Sequence, residues 1–439
     1  GGDNTALGRA ALRNNTTASN NTAVGRSALY DNTTGASNVA VGNNALLANT
    51  TGINNVAVGI NALDANTTAN NNTAIGRNSL TVNVTGTRNV GVGSSTLAAA
   101  TGSDNVAVGA TALITNTSAD KNTAVGSQAM YYNTTGANNT GIGYDALQDN
   151  TTGDNNTALG AYSLDQNTTG TENVAIGTDA LDANTTASYN TAVGYRALTA
   201  NTTGSTNTAV GQSSLQANTT GNNNTAIGQV AMFANETGTS NTAVGLEALS
   251  ANITGSSNTA IGVSALDANT TADNNTSIGK DSMRLTTTGA TNVALGVDAL
   301  ELNQTGTRNV AVGTYAGQYN TSSDNTAVGY HCLNNNTSGQ WNTAVGSYAL
   351  DACTTGQTNT AVGYGSVSAC TTGSDNVGIG HEALQSNTTG DKNVAIGRDA
   401  LEANTTGEKN VAVGYLALKA NTTGNNNTAV GREALDSVT

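Results

Sequence analysis

The residue types that most often carry protein chemistry are few and scattered in this sequence. Its only histidines are His331 and His381, and its only cysteines are Cys332, Cys353 and Cys370. Catalysis needs a small number of unlike groups that converge on one reacting atom. The sequence instead repeats like residues in columns, and its two histidines lie far apart. We therefore expect no enzymatic activity, no catalytic residues and no bound cofactor, and we interpret both histidines as surface groups.

Charge excludes several classes of partner. The 29 acidic residues outnumber the 15 basic residues, which gives a formal net charge of −14. This balance disfavours phosphate backbones and anionic lipid surfaces, and no apolar run is long enough to cross a bilayer, so we expect neither nucleic-acid binding nor membrane insertion. An aspartate occupies the same position in several scattered repeats, as at Asp64, Asp182 and Asp267, but the sequence lacks the repeated motif of calcium-binding rolls. We therefore predict no metal site.

A 17-residue repeat organises the whole chain. A glycine closes each segment like Asn-Thr-Ala-Val-Gly, and the 26 such glycines run from Gly8 to Gly431 at intervals of 17, apart from two intervals of 16 that end at Gly109 and Gly329. With 52 glycines, no proline and 10% charged residues, the chain is predicted to be ordered around a thin core. The array fills residues 1–439 as one uninterrupted domain, and we expect it to be a segment of a longer chain. Each repeat is numbered below so that this glycine is position 17.

The columns of the repeat separate into fixed and variable positions. Position 13 is Asn in all 26 copies, position 14 is Thr or Val, and position 16 is Val, Ile or Leu. Position 4 is mostly Leu, and its substitutes include Met130, Met232 and Met283, as expected for a buried column. Short β-branched segments closed by glycine favour strands. We predict strands at positions 13 to 16 and, more loosely, 2 to 9, turns at positions 10 and 17, and burial of positions 4, 14 and 16.

One coil per repeat gives an all-β fold, a parallel β-solenoid or β-roll of about 26 coils of 17 residues. Stacked coils place like residues above one another at about 4.8 Å. The invariant asparagines at position 13 can then hydrogen-bond to the copies above and below and satisfy buried polar groups. This predicted structural ladder includes Asn4, Asn21, Asn38, Asn55, Asn72, Asn89, Asn105 and Asn122.

Position 15 is unexpectedly restricted. It is Ala in 22 copies, although neighbouring strand residues point to opposite faces, and a solvent-facing column would tolerate larger polar residues. We infer that an identical chain packs against this column in a homo-oligomer, either a trimer or a filament. The alternative is that crowding inside one chain keeps position 15 small, as in a monomeric solenoid. The predicted interface residues are Ala23, Ala57, Ala124, Ala192 and Ala243.

The cysteines are too few for a disulfide framework. Cys332 falls at position 3 and is interpreted as a small buried residue. Cys353 and Cys370 both fall at position 7 of successive coils, where the column is otherwise mainly Asn. Their expected separation of about 4.8 Å is compatible with a disulfide, but two buried thiols that replace Asn are the favoured interpretation.

Modification with sugar is a further expectation. Asn-Thr-Thr at positions 7 to 9 matches the N-glycosylation pattern, but the cysteine replacements indicate that this Asn points inward. The hydroxyl at position 8 is expected to point outward and could carry O-linked sugar. The candidate O-glycan sites are Thr16, Thr33, Thr50 and Thr67.

Several segments resemble known repeats. Residues 38–42, 173–177 and 393–397 read Asn-Val-Ala-Val/Ile-Gly and resemble the head repeat of trimeric autotransporter adhesins. That resemblance implies a left-handed parallel β-roll in which three chains pack together. The longer unit at 414–430 is even more similar to repeats of phage and large-virus fibre proteins and of bacterial surface proteins. The similarity covers the whole chain, but it rests on scaffold residues and so predicts fold rather than ligand.

The combined expectation is an extracellular structural fibre or adhesin shaft, at a cell or virion surface, that presents a repetitive polar surface. Its expected partners are further copies of itself and host or surface glycans or other cells. One alternative is an ice-binding solenoid with threonine ladders, although Val84, Glu236, Ile253 and Gln304 interrupt position 8. A second alternative is a carbohydrate-binding viral fibre.

Overall fold

The structure, a computed structural model, describes residues 1–437 and divides the chain into two compact units, Gly1–Gly221 and Asn222–Thr439. Each coil contributes one strand of three residues. The first unit contains β1 (Thr5–Leu7), β2 (Thr22–Val24), β3 (Val39–Val41), β4 (Val56–Val58), β5 (Thr73–Ile75), β6 (Val90–Val92), β7 (Val106–Val108), β8 (Thr123–Val125), β9 (Thr140–Ile142), β10 (Thr157–Leu159), β11 (Val174–Ile176), β12 (Thr191–Val193) and β13 (Thr208–Val210). The second unit contains β14 (Thr225–Ile227), β15 (Thr242–Val244), β16 (Thr259–Ile261), β17 (Thr276–Ile278), β18 (Val293–Leu295), β19 (Val310–Val312), β20 (Thr326–Val328), β21 (Thr343–Val345), β22 (Thr360–Val362), β23 (Val377–Ile379), β24 (Val394–Ile396), β25 (Val411–Val413) and β26 (Thr428–Val430).

Within each unit, every strand pairs in parallel with the strand of the next coil, and like repeat positions lie side by side. In β3 and β4, for example, Val39 pairs with Val56, Ala40 with Ala57 and Val41 with Val58. The prediction of an all-β parallel β-solenoid with a 17-residue coil is confirmed. No helix occurs in residues 1–437, and so none there is long and apolar enough to span a membrane.

The predicted second strand at positions 2 to 9 is wrong, because those residues form turns. Position 2 and position 4 adopt positive φ angles, such as 56° at Ser27 and 53° at Leu29, which are incompatible with an extended strand. Hydrogen bonds between coils continue through these turns nevertheless. The N–H of Leu29 donates to the carbonyl of Ala45 at 3.1 Å. The turns therefore close each coil while keeping their backbone groups paired.

The strand residue that faces the core is at position 15. The prediction had placed the core on the other face of the strand, at positions 14 and 16. Leu63, at position 4, is 0% exposed, as predicted, but Ala57 at position 15 is also 0% exposed. Val56 and Val58, at positions 14 and 16, are only half-buried. A strand of three residues directs a single side chain inward, so the prediction that positions 14 and 16 are buried is wrong.

The same finding corrects the predicted interface. The five alanines are fully buried inside their own chain, so they cannot line a surface against a second chain. Crowding within the coil, the alternative explanation, accounts for their size. Those alanines are Ala23, Ala57, Ala124, Ala192 and Ala243, each 0% exposed.

Glycine replaces alanine at position 15 where the facing side chains leave no room. A Cβ added at Gly378 would lie 2.5 Å from Cγ2 of Val367 and 2.7 Å from Oγ of Ser366. At Gly141, an added Cβ would lie 3.1 Å from Cε of Met130. Positions 3, 4 and 15 therefore pack directly against one another and form the apolar core.

The predicted asparagine ladder is confirmed, with a geometry that differs from amide-to-amide stacking. Oδ1 of Asn38 accepts the backbone N–H of Asn55 at 2.9 Å, and Nδ2 of Asn55 donates to the carbonyl of Ala69 at 2.9 Å. All eight predicted asparagines accept the backbone N–H of the next asparagine in the same way, at 2.9 to 3.0 Å. The ladder thus fixes each turn to the following coil.

A second ladder runs through position 7 and is built from direct amide-to-amide bonds. Nδ2 of Asn49 donates to Oδ1 of Asn32 at 2.8 Å and to the carbonyl of Gly52 at 3.0 Å. A Cβ added at Gly52 would lie 2.4 Å from Oδ1 of Asn49. Position 10 is therefore small because this amide approaches it closely.

The three cysteines are free and buried, which confirms the interpretation of two thiols at position 7. Sγ of Cys370 lies 3.3 Å from the carbonyl of Gly373, the same position-10 carbonyl that an asparagine amide reaches elsewhere. The hydrogen bond with Cys353, followed by burial, raises the pKa of Cys370. Burial raises the pKa of Cys332 to about 12. Cys332 and Cys370 are therefore packing residues whose thiols remain protonated at neutral pH.

Each unit contains one of the shortened 16-residue intervals, and the two intervals carry the same ion pair. Arg88 Nε lies 2.5 Å from Asp104 in the first unit, and Arg308 Nε lies 2.6 Å from Asp324 in the second. The hydrogen bond from the guanidinium lowers the pKa of each aspartate. Because these pairs are exposed, they contribute little to stability.

Candidate functional site

A row of exposed aromatic rings crosses five successive coils of the second unit. The rings occupy positions 1 and 2, directly after the turn glycine, where the sequence is otherwise variable. Stacked coils bring these positions into register, so rings that are about one repeat apart in the sequence become neighbours. We call this set the aromatic ladder; its members are Tyr315, Tyr330, His331, Tyr348, Tyr364 and His381.

The rings contact one another continuously along the aromatic ladder. The ring centroids of Tyr330 and Tyr348 are 5.5 Å apart, and those of Tyr348 and Tyr364 are 6.0 Å apart, both in edge-to-face arrangements. The rings of Tyr364 and His381 stack at 5.3 Å and 21°. These separations lie in the range of favourable aromatic pairs. Because Tyr348 is 37% exposed and Tyr364 is 50% exposed, the ladder also presents a broad surface to solvent.

Tyr348 and Tyr364 form part of an open groove with a volume of about 400 Å³. Carboxylates, an amide and a hydroxyl complete its lining, so polar groups surround two aromatic surfaces. The polar lining residues are Asp351, Glu382, Gln385 and Ser368.

The groove carboxylate Asp351 has an altered acidity. Burial raises the pKa of this carboxyl above its usual range, and the nearby His331 partly opposes the shift. Oδ1 of Asp351 has no hydrogen-bond partner within the described residues. Because this oxygen is itself buried, it could accept a hydrogen bond from a ligand hydroxyl in the groove only after the Asp351 side chain reorients.

Both histidines lie at the surface, as interpreted from the sequence. The sequence did not reveal that the rings of Tyr348 and Tyr364 lie between them in one row. The His331 ring stacks on Tyr348 at 5.7 Å, and its Nδ1 lies 2.7 Å from Nδ2 of Asn334. His381 lies beside Glu382 and Asp399, and the three potential ligand atoms are within 4.8 Å of one another. The sequence analysis, which predicted no metal site, did not identify this cluster of three possible metal ligands.

A second groove in the same unit repeats the combination of a ring with acidic groups. It has a volume of about 410 Å³ and is lined by Phe233, Val230, Glu247, Ser250 and Asp267. The hydroxyl of Ser250 donates to Asp267. Since Phe233 is the single ring in its lining, this groove lacks the extended aromatic surface of the aromatic ladder.

The candidate O-glycan threonines do not point freely outward. The Thr16 hydroxyl donates to the carbonyl of Thr33 at 2.9 Å, and the hydroxyls of Thr33 and Thr50 make the same contact with the next coil at 3.0 and 3.1 Å. Thr67 is half-buried. The exposed threonine column is at position 9, represented by Thr34. O-glycosylation and ice binding stay predictions. Each would require the exposed threonines at position 9 rather than those at position 8.

The comparisons with known proteins add no assignment. No protein-family model matches the chain, and no curated protein is detectably similar to it in sequence. The resemblance to adhesin and fibre repeats therefore stays a prediction, and the groove is the feature of the chain that bears most directly on function.

Proposed function

We propose that this protein is a non-enzymatic structural scaffold that binds carbohydrate, as a fibre or adhesin does at a cell or virion surface. The observation that carries the proposal is the aromatic ladder with the carboxylates and amide of its groove. Binding sites commonly combine aromatic surfaces with a few polar groups that fix the orientation of the ligand. This arrangement favours the carbohydrate-binding alternative and is compatible with a structural role for the rest of the array.

The chemistry of the groove suits a sugar chain. The flat C–H faces of sugar rings pack against tyrosine rings, while their hydroxyls donate to carboxylates such as Asp351 and Glu382. Tyrosine supplies this contact area at a low cost in conformational entropy. The groove carboxylates and the net charge of −14 disfavour acidic polysaccharides, so the expected ligand is a neutral glycan of a host or cell surface.

Affinity electrophoresis of the full chain tests this proposal. Gels that contain a neutral β-glucan, xylan or mannan should retard the protein, whereas alginate, an acidic polysaccharide, should not. The double variant Tyr348→Ala/Tyr364→Ala should lose retardation by at least about tenfold in affinity, because both ring surfaces are removed. Tyr189→Ala is the matched control, since Tyr189 is an exposed tyrosine of the first unit. Absence of retardation in every neutral gel would contradict the proposal.

A second observation favours self-association. Positions 14 and 16 face solvent, yet they hold only Thr or Val and Val, Ile or Leu. We call these side chains the apolar strip; within it, Ile227 is 42% exposed and Leu295 is 46% exposed. With residues about 3.3 Å apart along a strand and coils about 4.8 Å apart, the 13 coils of the second unit expose an area on the order of 400 Å², which matches the largest apolar patch of a typical soluble protein, and such patches often bind a partner.

A second copy of the chain is the proposed occupant of the apolar strip, because it carries the same spacing between coils and can interdigitate with it. The left-handed winding and the trimer, which the resemblance implies, belong to this proposal, as does the filament that was the alternative assembly. Sedimentation velocity should show an assembly for the wild type and a shift toward monomer for Ile227→Lys. Gln229→Lys is the control, since Gln229 is an exposed residue of the same repeat region outside the apolar strip. A monomeric wild type at micromolar concentration would contradict self-association and leave carbohydrate binding untouched.

A further inference from the structure

His381, Glu382 and Asp399 place three potential metal-ligand atoms around one point at the surface of the second unit. Nδ1 of His381 lies 3.5 Å from Oε2 of Glu382 and 3.8 Å from Oδ1 of Asp399. Backbone hydrogen bonds anchor the carboxylate residues to neighbouring coils. The N–H of Asp399 donates to the carbonyl of His381 at 3.0 Å, and the N–H of Glu382 donates to that of Tyr364 at 2.9 Å. The stacked ring of Tyr364 limits the orientation of the imidazole.

Asp399 is the most informative member of the triad. Its side chain is only 9% exposed, and its Oδ1, which faces the imidazole, has no hydrogen-bond partner. Arg398 Nε lies 3.4 Å from the other oxygen, Oδ2, and so balances part of the charge without occupying Oδ1. A buried carboxylate oxygen without a hydrogen-bond partner is costly, and a bound cation would offset that cost.

The spacing fits an ion better than a direct hydrogen bond. Distances of 3.5 and 3.8 Å exceed the usual range of an N–H to oxygen hydrogen bond. A tetrahedral ion with bonds of about 2.0 to 2.1 Å would hold its ligand atoms about 3.3 Å apart. Small side-chain movements toward the centre would therefore complete the geometry. One imidazole nitrogen with two carboxylate oxygens is a donor set for a first-row transition ion such as Zn²⁺.

We propose that His381, Glu382 and Asp399 bind one divalent transition-metal ion, for which Zn²⁺ is the test probe. Three protein ligands leave at least one coordination position for water or an exogenous oxygen ligand. Glu382 also lines the groove, so the ion would lie at its edge. The proposal does not depend on carbohydrate binding, because it rests on the geometry of the triad alone.

The chain supplies a matched control in its only other histidine. Isothermal titration of the chelator-treated full chain with ZnCl₂ should show one site in the wild type. His381→Ala should abolish that site, and Asp399→Asn should weaken it at least about tenfold. His331→Ala should leave it unchanged, because Nδ1 of His331 faces Asn334 outside the triad. Co²⁺ should give the visible absorption of a low-symmetry nitrogen and oxygen site in the wild type and lose it in His381→Ala.

Three outcomes would overturn the assignment. One is the absence of Zn²⁺ binding to the wild type. Another is full binding by His381→Ala, which would place the ion on scattered surface carboxylates. The third is equal loss in His331→Ala and His381→Ala, which would show that the aromatic ladder, rather than ligation, controls binding. Circular dichroism of each variant distinguishes a ligand effect from unfolding, and Asp399→Asn supplies a second test that leaves the aromatic rings intact.

Discussion

Asn55 accepts the backbone N–H of Asn72 through Oδ1 at 3.0 Å. The same side chain donates through Nδ2 to the carbonyl of Ala69 at 2.9 Å. One buried amide therefore contacts two backbone groups of the next coil. It accepts the N–H of Asn72 and shares the carbonyl of Ala69 with the amide of Asn66, which donates to the same oxygen at 3.2 Å. Repetition of this relationship explains why position 13 never varies, since a residue without an amide would leave a buried backbone N–H unpaired.

Replacement of Asn55 by Ala should destabilise the first unit by about 1 to 3 kcal/mol, because it leaves the buried N–H of Asn72 unsatisfied and removes one of the two amide donors to the carbonyl of Ala69. Asn54→Ala is the control, since Asn54 is exposed in the adjacent position. Urea denaturation followed by circular dichroism measures the difference, and hydrogen exchange should show the amide of Asn72 losing protection. Equal effects of the two variants would show that the ladder is not a source of stability.

Lysine substitutions on the two faces of one strand should have opposite outcomes. Ala57→Lys should unfold the surrounding coils, because Ala57 is fully buried and faces the core. Val58→Lys should preserve the fold, because Val58 is half-buried on the outward face. Thermal unfolding of both variants tests the corrected assignment of faces. A folded Ala57→Lys protein with an unfolded Val58→Lys protein would restore the original prediction.

The sequence predicted the coil length, the parallel register and the buried leucines because each of these follows from periodicity. It did not reveal which face of the strand is buried. Ala57 and Val58 stand in equally restricted columns, and hydrophobicity favoured the valine as the core residue. The structure shows that a very narrow coil admits only Ala, Gly or Ser at position 15, so the inward residue is the smaller one. Restriction at position 16 therefore requires a different cause, which the proposed self-association provides.

Local packing also makes a prediction about glycine. Gly378→Ala should destabilise the second unit by about 1 to 3 kcal/mol, because the new Cβ would overlap Val367. Combination with Val367→Ala should recover part of the loss by opening the same space. A double-mutant cycle in chemical denaturation measures this coupling. Additive effects would show that the two residues do not share the space assigned to them.

Stability should depend on the protonation of Asp165. Burial, together with the charges of Asp182 and Asp149, raises the pKa of Asp165 to about 7. The unfolded chain releases this proton near pH 3.9, so between about pH 4 and pH 7 the folded state holds a proton that the unfolded state does not. Folding stability contributed by this group therefore falls as the pH rises through that window.

Asp165→Asn should consequently flatten the decline in stability and should stabilise the protein most above about pH 7, where the native carboxylate is charged. Unfolding free energies at about pH 5 and pH 8 provide the measurement. Asp375→Asn, at an exposed site, is the control for a general change in charge. A larger stabilisation at pH 5 than at pH 8 would reverse the assigned sign.

The candidate binding surface was harder to predict than the fold. Tyr348 and Tyr364 fall in columns that vary freely in most repeats, and each ring taken alone is consistent with surface variation. The usable signal was the recurrence of Tyr or His at positions 1 and 2 in five successive repeats, since stacking converts such recurrence into contact. The buried state of Asp399 and the groove volume depend on side-chain packing and had no counterpart in the repeat pattern.

The most direct test of the central claim is hydroxyl-radical footprinting of the full chain with and without a neutral polysaccharide, read by mass spectrometry. Oxidation of Tyr348 and Tyr364 should fall severalfold in the presence of the glycan, because bound sugar rings would cover both exposed side chains. Oxidation of Tyr189 and Tyr195, exposed tyrosines of the first unit, should be unchanged. Protection confined to the first unit, or a bound glycan that leaves Tyr348 and Tyr364 as reactive as before, would contradict the assignment of the aromatic ladder as the carbohydrate-binding surface.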